Sequence, residues 1–244
     1  MQQSQSPVDF SLRSTGIEIM DDLDCKGEMV DQTLRELDFI NQWLGGNAVT
    51  INAVKSVWQT IPKDKTITIA DLGCGSGEML RLLARLAKKE NRKVVLIGFD
   101  ANPNITNFAA SHSKEFDNIS YHAENVFSPE FQQQKFDIVL ATLFMHHFNE
   151  DELVSLLLLL KKQTSKAIII NDIHRHPLAY HSIKLLTKVF SRSAMVKFDA
   201  PLSVLRAFIK TELQTILRKA GISNYALTWK WAFRWQLTIL NQSL

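Results

Sequence analysis

One short run, Asp71-Leu-Gly73-Cys74-Gly75-Ser-Gly77, has the residue types and spacing of a ligand cradle. Glycines at alternate positions let the backbone approach a ligand where a Cβ would collide. The apolar positions behind them (Met79, Leu80, Leu82, Leu83, Leu86, Ala87) repeat as in a helix. Its first turn offers unpaired N–H groups and a positive dipole end to the same ligand. A second apolar run, Val94 to Asp100, ends in a carboxylate able to accept two hydrogen bonds from a vicinal diol. Two more stretches, Thr142-Leu-Phe-Met-His146-His147-Phe148 and Asp172-Ile-His174-Arg-His176-Pro177, hold four of the chain's seven histidines. Imidazole is suited to take a hydroxyl proton near neutral pH. Asp172 and His174 stand two apart in a strand pattern, hence on one side, so the carboxylate is expected to orient that ring. His146 and His147 are neighbours, so one of them is expected to face the ligand.

The spacing also excludes ligands. A dinucleotide fingerprint, G-x-G-x-x-G, needs a third glycine where this chain has Glu78, and a carboxylate sits badly beside a pyrophosphate. No Gly-Lys-Ser/Thr follows, so the motif is not a P-loop. No His/Cys set has the spacing of a zinc site, and no metal is expected.

The elements that must position these residues alternate along the chain. Strands are expected at 66–71, 94–100, 119–123, 136–141 and 166–172. Helices are expected at about 78–90, 103–115 and 149–162, the last opening on an Asn149/Glu152 capping box. That alternation predicts an α/β, doubly wound, mostly parallel sheet, with ligands beyond the C-terminal strand ends. Two helices precede it, Glu28 to Leu44 stopped by Gly45-Gly46, and Ala48 to Ile61 stopped by Pro62. After the fifth strand, 178–209 reads as two helical pieces broken near Asp199-Ala-Pro201. A helix at about 211–220 follows, then a hairpin over 225–240 turning near Ala232 or Phe233. Residues 1–8 read as disordered.

The Asp71-x-Gly73-x-Gly75-x-Gly77 motif, followed by Asp100, resembles that of the class I S-adenosylmethionine (SAM) methyltransferases. The resemblance implies a Rossmann-like α/β fold with a seven-stranded, mostly parallel sheet and one antiparallel strand. It implies SAM as cofactor, with S-adenosylhomocysteine as product. Asp71, Gly73, Cys74 and Gly75 would form the cradle, and Asp100 with Ala101 would meet the ribose. Asn125 and Val126 would read and pack the adenine, and Thr142 would border the cofactor. His146, His147, His174 and Asp172 are the candidates for taking a proton from the acceptor. On this reading residues 1–62 form a helical cap, and 63–244 the SAM-binding domain with a helical substrate lid at about 177–210. The flanks, among them Met20-Asp-Asp22, Leu143–Phe148, Asn171–Ala179 and Asp199–Phe208, resemble bacterial methyltransferases of phenolic-lipid, type III polyketide and quinone pathways. That implies O-methylation of a hydrophobic aromatic small molecule.

Composition bounds the alternatives. Net charge is +3, but from Asp151 onward 14 Lys/Arg face only 5 Asp/Glu. A basic half suits nucleic acid, anionic lipid or ordinary solvated helices. A nucleic-acid methyltransferase is disfavoured because Thr142-Leu-Phe-Met replaces the Asn/Asp-Pro-Pro-aromatic motif, so no nucleic-acid partner is expected. Peripheral membrane contact stays open through that half, where Lys184, Lys188, Arg192 and Lys197 accompany an apolar stripe. A non-catalytic SAM-binding protein is the other alternative. Two cysteines, one inside the glycine turn, suit a reducing, cytoplasmic setting. The apolar run Leu153–Leu160 is too short to span a membrane.

Overall fold

The computed structural model describes residues 8–241, so all but one of the residues read as disordered lie outside the described residues. Two helices come first, α1 (Glu28–Trp43) and α2 (Gly46–Trp58). The alternating part follows as β1 (Ile67–Leu72), α3 (Glu78–Glu90), β2 (Val94–Asp100), α4 (Pro103–Ser111), β3 (Ile119–Ala123), α5 (Pro129–Gln132), β4 (Phe136–Thr142), α6 (Glu150–Gln163) and β5 (Thr164–Ile173). Three helices and a hairpin complete the chain: α7 (Pro177–Phe190), α8 (Ala194–Arg206), α9 (Lys210–Lys219), β6 (Tyr225–Lys230) and β7 (Arg234–Leu240).

The sheet order is β3-β2-β1-β4-β5-β7-β6. Strands β1 to β5 pair in parallel, and β7 runs antiparallel to both its neighbours. This is the Rossmann-like architecture of the class I methyltransferase fold. The chain winds outward from β1 to β3, then returns to place β4 on the other side of β1. The order reverses there, so the C-terminal ends of β1 and β4 flank a crevice. Strand residues alternate between two apolar layers. Ile67, Ile69, Leu96, Ile138 and Ile169 pack toward Val54, Trp58, Leu80 and Leu83. Ala70, Leu72, Phe99, Val139 and Ile168 pack toward Leu156, Leu160, Ile216 and Leu217.

Local chemistry sets several boundaries. Asn149 Oδ1 accepts the Glu152 N–H at 3.0 Å while Glu152 accepts the Asn149 N–H at 2.9 Å, so α6 begins on the expected capping box. The hairpin turns at Ala232 and Phe233, both with positive φ.

The break in the 178–209 stretch lies elsewhere than its proline suggests. It falls at Ser191-Arg192-Ser193, and Pro201 is carried inside α8. Ser193 caps the Val196 N–H at 3.2 Å, and the Glu36 carboxylate of α1 accepts the N–H groups of Arg192 (3.0 Å) and Ser193 (3.2 Å). A distant carboxylate and a serine cap outweigh the one backbone bond that a proline removes. Residues 9–26 run as a strap over the same end of the sheet. Arg13 donates to the carbonyls of Arg206, His146 and Phe148 at 2.7–3.0 Å. No helix among the described residues is long and apolar enough to cross a membrane.

Candidate active site

A cavity of about 760 Å³ lies beyond the C-terminal strand ends, under α1, the strap, α7, α8 and the hairpin turn. Its first end is the glycine loop between β1 and α3. Gly73 is closely overlain, because a Cβ there would stand 2.3 Å from the Phe144 ring. A Cβ on Gly77 would meet the Tyr121 hydroxyl at 2.1 Å. Gly75 is different: at φ +52° its Cβ position has only a Leu34 methyl within 4 Å, at 3.8 Å, so its open side is ligand space. Asp100 sits opposite, accepting the Asn102 N–H at 3.0 Å and the Gly75 N–H at 3.4 Å. Those two bonds fix the carboxylate at the cavity wall, and Asn102 at the same time caps α4.

This end is acidic. Burial, and then the nearby Asp100, push the Asp71 carboxyl up to about 7. Burial pushes Asp38 up to about 6 although the Ser76 hydroxyl donates to it at 2.7 Å. Asp100 is raised as well, by burial opposed by its two backbone donors. Buried carboxylates of this kind are a poor host for a pyrophosphate and a good one for a cation. SAM carries an ammonium and a sulfonium, so the donor set fits it. Asp100 would take the ribose diol, and the glycine loop with Asp71 would hold the methionine part. Ala101, Asn125, Val126 and Thr142 line the same cavity. Asn125 uses its Oδ1 to accept the Phe127 N–H at 2.9 Å, so toward an adenine it has its amide free to donate. Thr142 bonds Thr50 of α2 at 3.1 Å.

The second end is assembled from four separate segments. His146 Nδ1 meets Asp172 Oδ1 at 2.7 Å, and Asp172 also accepts the backbone N–H of His146 and of Ile173. Burial alone would raise the Asp172 carboxyl, but the His146 ring and these donors hold it below the ordinary carboxylate range. The carboxylate thus keeps Nδ1–H donating and leaves Nε2 as the free acceptor. Nε2 stands 3.8 Å from Glu18 Oε1, a buried oxygen with no hydrogen-bond partner among the described residues. Burial, opposed by His147 and Arg206, pushes the Glu18 carboxyl up to about 7. His147 Nδ1 pairs with Asp21 at 2.7 Å, and Arg206 reaches Asp21 at 2.5 Å and Glu18 at 3.5 Å.

Ring nitrogens of His146 and His147 and an oxygen of Glu18 lie within 4.8 Å of one another, a spacing that a metal triad can use. Here each Nδ1 is held by its own carboxylate, and the Arg206 guanidinium already supplies the cation beside Glu18 and Asp21.

The expected Asp172–His174 pair does not form. Asp172 turns to His146, while His174 Nδ1 accepts from the Trp229 indole at 3.3 Å and its ring leans on Trp235. The reason is register: β5 ends at Ile173, and His174 forms its own bridge to Phe208. His176 caps α7 through Leu178 N–H and also stays out of the cavity wall. Of the four histidines, His146 and His147 line the cavity. Sequence reasoning missed Glu18, Asp38 and Arg206. Asp21 was visible only as one member of an acidic cluster, with no periodicity to say where it pointed.

A family model described as a methyltransferase domain matches residues 63–221. Comparison with curated proteins by sequence returns no match. Among solved structures, the plantazolicin methyltransferase BpumL, in complex with a pentazolic desmethylPZN analog and S-adenosylhomocysteine, is similar at 14% identity. Its TM-score is 0.63, over 86% of this chain and 90% of that one. Magnesium protoporphyrin IX methyltransferase (ChlM) of Synechocystis PCC 6803, with bound S-adenosylhomocysteine, has 15% identity and a TM-score of 0.55, over 84% and 88%. The CurJ carbon methyltransferase has 10% identity and a TM-score of 0.61, over 80% of this chain and 53% of that one. At these identities the likeness speaks for the fold.

Proposed function

This chain belongs to the methyltransferase-domain family and is a SAM-dependent methyltransferase, and we propose that it methylates a hydroxyl group of a hydrophobic aromatic small molecule, a phenol or quinol. The observation that carries the proposal is the buried His146–Asp172 pair, with His146 in the cavity wall and its Nε2 3.8 Å from a Glu18 oxygen that Arg206 faces at 3.5 Å. When bound, SAM supplies a methyl group already activated on a sulfonium. The chain's own residues then have to hold the acceptor, remove its proton and exclude water.

An aromatic hydroxyl is a weak nucleophile until it loses its proton. His146 Nε2 accepts that proton, and Asp172 stabilises the imidazolium that results. Glu18 offers a second acceptor on the same side, and Arg206 balances the negative charge gathered there. The walls between the two ends are apolar, with Leu37, Ile40, Leu186, Val204 and Phe148 on them, which suits an aromatic ring with an alkyl substituent. Among the structural neighbours CurJ is a carbon methyltransferase, so the acceptor atom is argued from the dyad alone. Carbon nucleophiles of a phenol also profit from deprotonation, and the test separates them.

The test is methyl transfer from labelled SAM to alkylphenols, catechols, quinols and nucleic acid, with products resolved by NMR. A methyl ether of a phenol or quinol is the expected product. A ring-methylated phenol would move the reaction to carbon. Label confined to nucleic acid would overturn the small-molecule reading.

A further inference from the structure

One part of the cavity rim is unusual. Trp229, Trp231 and Ser182 line the cavity and yet are exposed, Trp231 by 77%, so an opening lies between the hairpin turn and α7. Helix α7 carries three adjacent stripes at 100° per residue. Ser182, Leu186, Ala179 and Ile183 face the cavity. Next to them Leu178, Leu185 and Val189, which fall within about 40° of one another on the helix, are each more than 60% exposed. Beyond those stand Lys184 and Lys188, both exposed. Phe190 at the end of α7 is 75% exposed, and Arg192 and Lys197 follow it. Across the opening, α1 presents Phe39 and Trp43 to solvent beside its cavity-lining residues Ile40 and Leu44.

We infer that this rim docks on an anionic phospholipid surface, with the apolar stripe of α7 and the hairpin tryptophans entering the interface. Three features choose a lipid surface over a protein partner. Apolar stripe beside basic edge is the arrangement by which an amphipathic helix lies in a bilayer interface. The exposed charges of α7 and α8 are of one sign: Asp199 is their single acid, and it is buried against the strap, accepting from Ile19 and Met20. No ion pair among the described residues engages Lys184, Lys188, Arg192 or Lys197. Finally, the stripe borders the cavity mouth, so a molecule leaving the lipid phase enters without crossing water. Tryptophans at the hairpin tip have the apolar body and polar N–H that favour the headgroup level.

The inference is tested without methyl transfer, so its failure is separate from that of the acceptor assignment. The full chain is mixed with vesicles of phosphatidylcholine containing or lacking phosphatidylglycerol, and binding is read by flotation and by tryptophan emission. Expected is binding that needs phosphatidylglycerol, weakens with salt and shifts the emission to the blue. Leu185→Asp with Val189→Asp should weaken it at least tenfold, and Lys188→Glu with Lys197→Glu several-fold. All four positions lie outside the cavity wall, so SAM binding checks that the variants fold. Equal binding by wild type and both variants would overturn the inference, as would no binding to anionic vesicles. So would a double aspartate variant that splits a dimer while vesicle binding persists.

Discussion

The two ends of the cavity are built in opposite ways. The cofactor end comes from consecutive strand-turn-helix units: β1 with its glycine loop, the end of β2, and the turn after β3. The acceptor end joins Glu18 and Asp21 of the strap, His146 and His147 after β4, Asp172 of β5 and Arg206 of α8. The first end is placed mainly by its own strand-turn-helix units, as Asp100 is by Asn102 and by Gly75 of the adjoining glycine loop, with Asp38 of α1 joining it through Ser76. Each residue of the second is placed by a charge from far along the chain. Cofactor recognition therefore sits on a local motif that tolerates change around it. On the proposed reading, acceptor chemistry depends on the strap and α8 being in place.

Separate construction predicts separable function. The largest effect is expected for His146→Ala, where loss of a general base should lower turnover roughly 10²- to 10⁴-fold. Affinity for SAM, read by calorimetry, should stay at the wild-type value. The next largest is expected for Asp100→Ala, which removes a charged acceptor of two ribose hydroxyls. Hydrogen bonds to charged groups contribute about 1.5–3 kcal/mol, so SAM should bind roughly ten to a hundred times more weakly while turnover at saturation is kept. If His146→Ala weakened SAM as much as Asp100→Ala does, the two ends would be one coupled site.

The same split explains what the sequence reveals. The cradle, Asp100 and the strand alternation are local patterns, so spacing alone exposes them. His146 was visible as a candidate because histidines are few and two stretches collect them. Its partner was not, since Asp172 is i+26 from it and two from His174, and spacing favours the nearer ring. Whether β5 extends to 172 or 174 decides that choice, and strand ends are set by the neighbouring hairpin. Glu18 carried no signal at all: an acid in an irregular stretch reads as solvated until the fold buries it. The break between α7 and α8 differs from the expected one for a related reason. Pro201 is a local cue, whereas the true break is fixed by Glu36 from α1.

Within the cofactor end, the glycines sharpen the comparison further. Gly77→Ala places a Cβ against the Tyr121 hydroxyl and forces a left-handed alanine, so it should cost roughly 1–3 kcal/mol in chemical denaturation. Gly75→Ala incurs the left-handed strain but meets open space, so it should destabilise by only about 1 kcal/mol. Its methyl group stands in the ligand's path, and SAM affinity should fall although the fold survives. Unchanged SAM affinity in Gly75→Ala would mean that the open side of Gly75 is not the cofactor's.

The smallest effect is a pH slope, and it reads both ends at once. Burial raises Asp71 from 3.8 to about 7 and Glu18 from 4.5 to about 7. Between those values the ligand-free fold holds protons that the unfolded chain releases, so the stability of the fold falls as pH rises. The contribution is fully present below about pH 4 and is lost as pH passes 7. The melting temperature of the ligand-free protein should therefore decline across this window. A cation bound beside Asp71 favours its ionised form, so SAM should stabilise more at pH 7.5 than at pH 5. Asp71→Asn should abolish that dependence on pH of the SAM effect. Glu18→Gln should flatten the ligand-free slope and leave the SAM effect unchanged, because the groups beside it are His146 and Arg206 of the other end. If Glu18→Gln altered the SAM effect as Asp71→Asn does, the charges of the two ends would be coupled through the cavity, and the division drawn between them would fail.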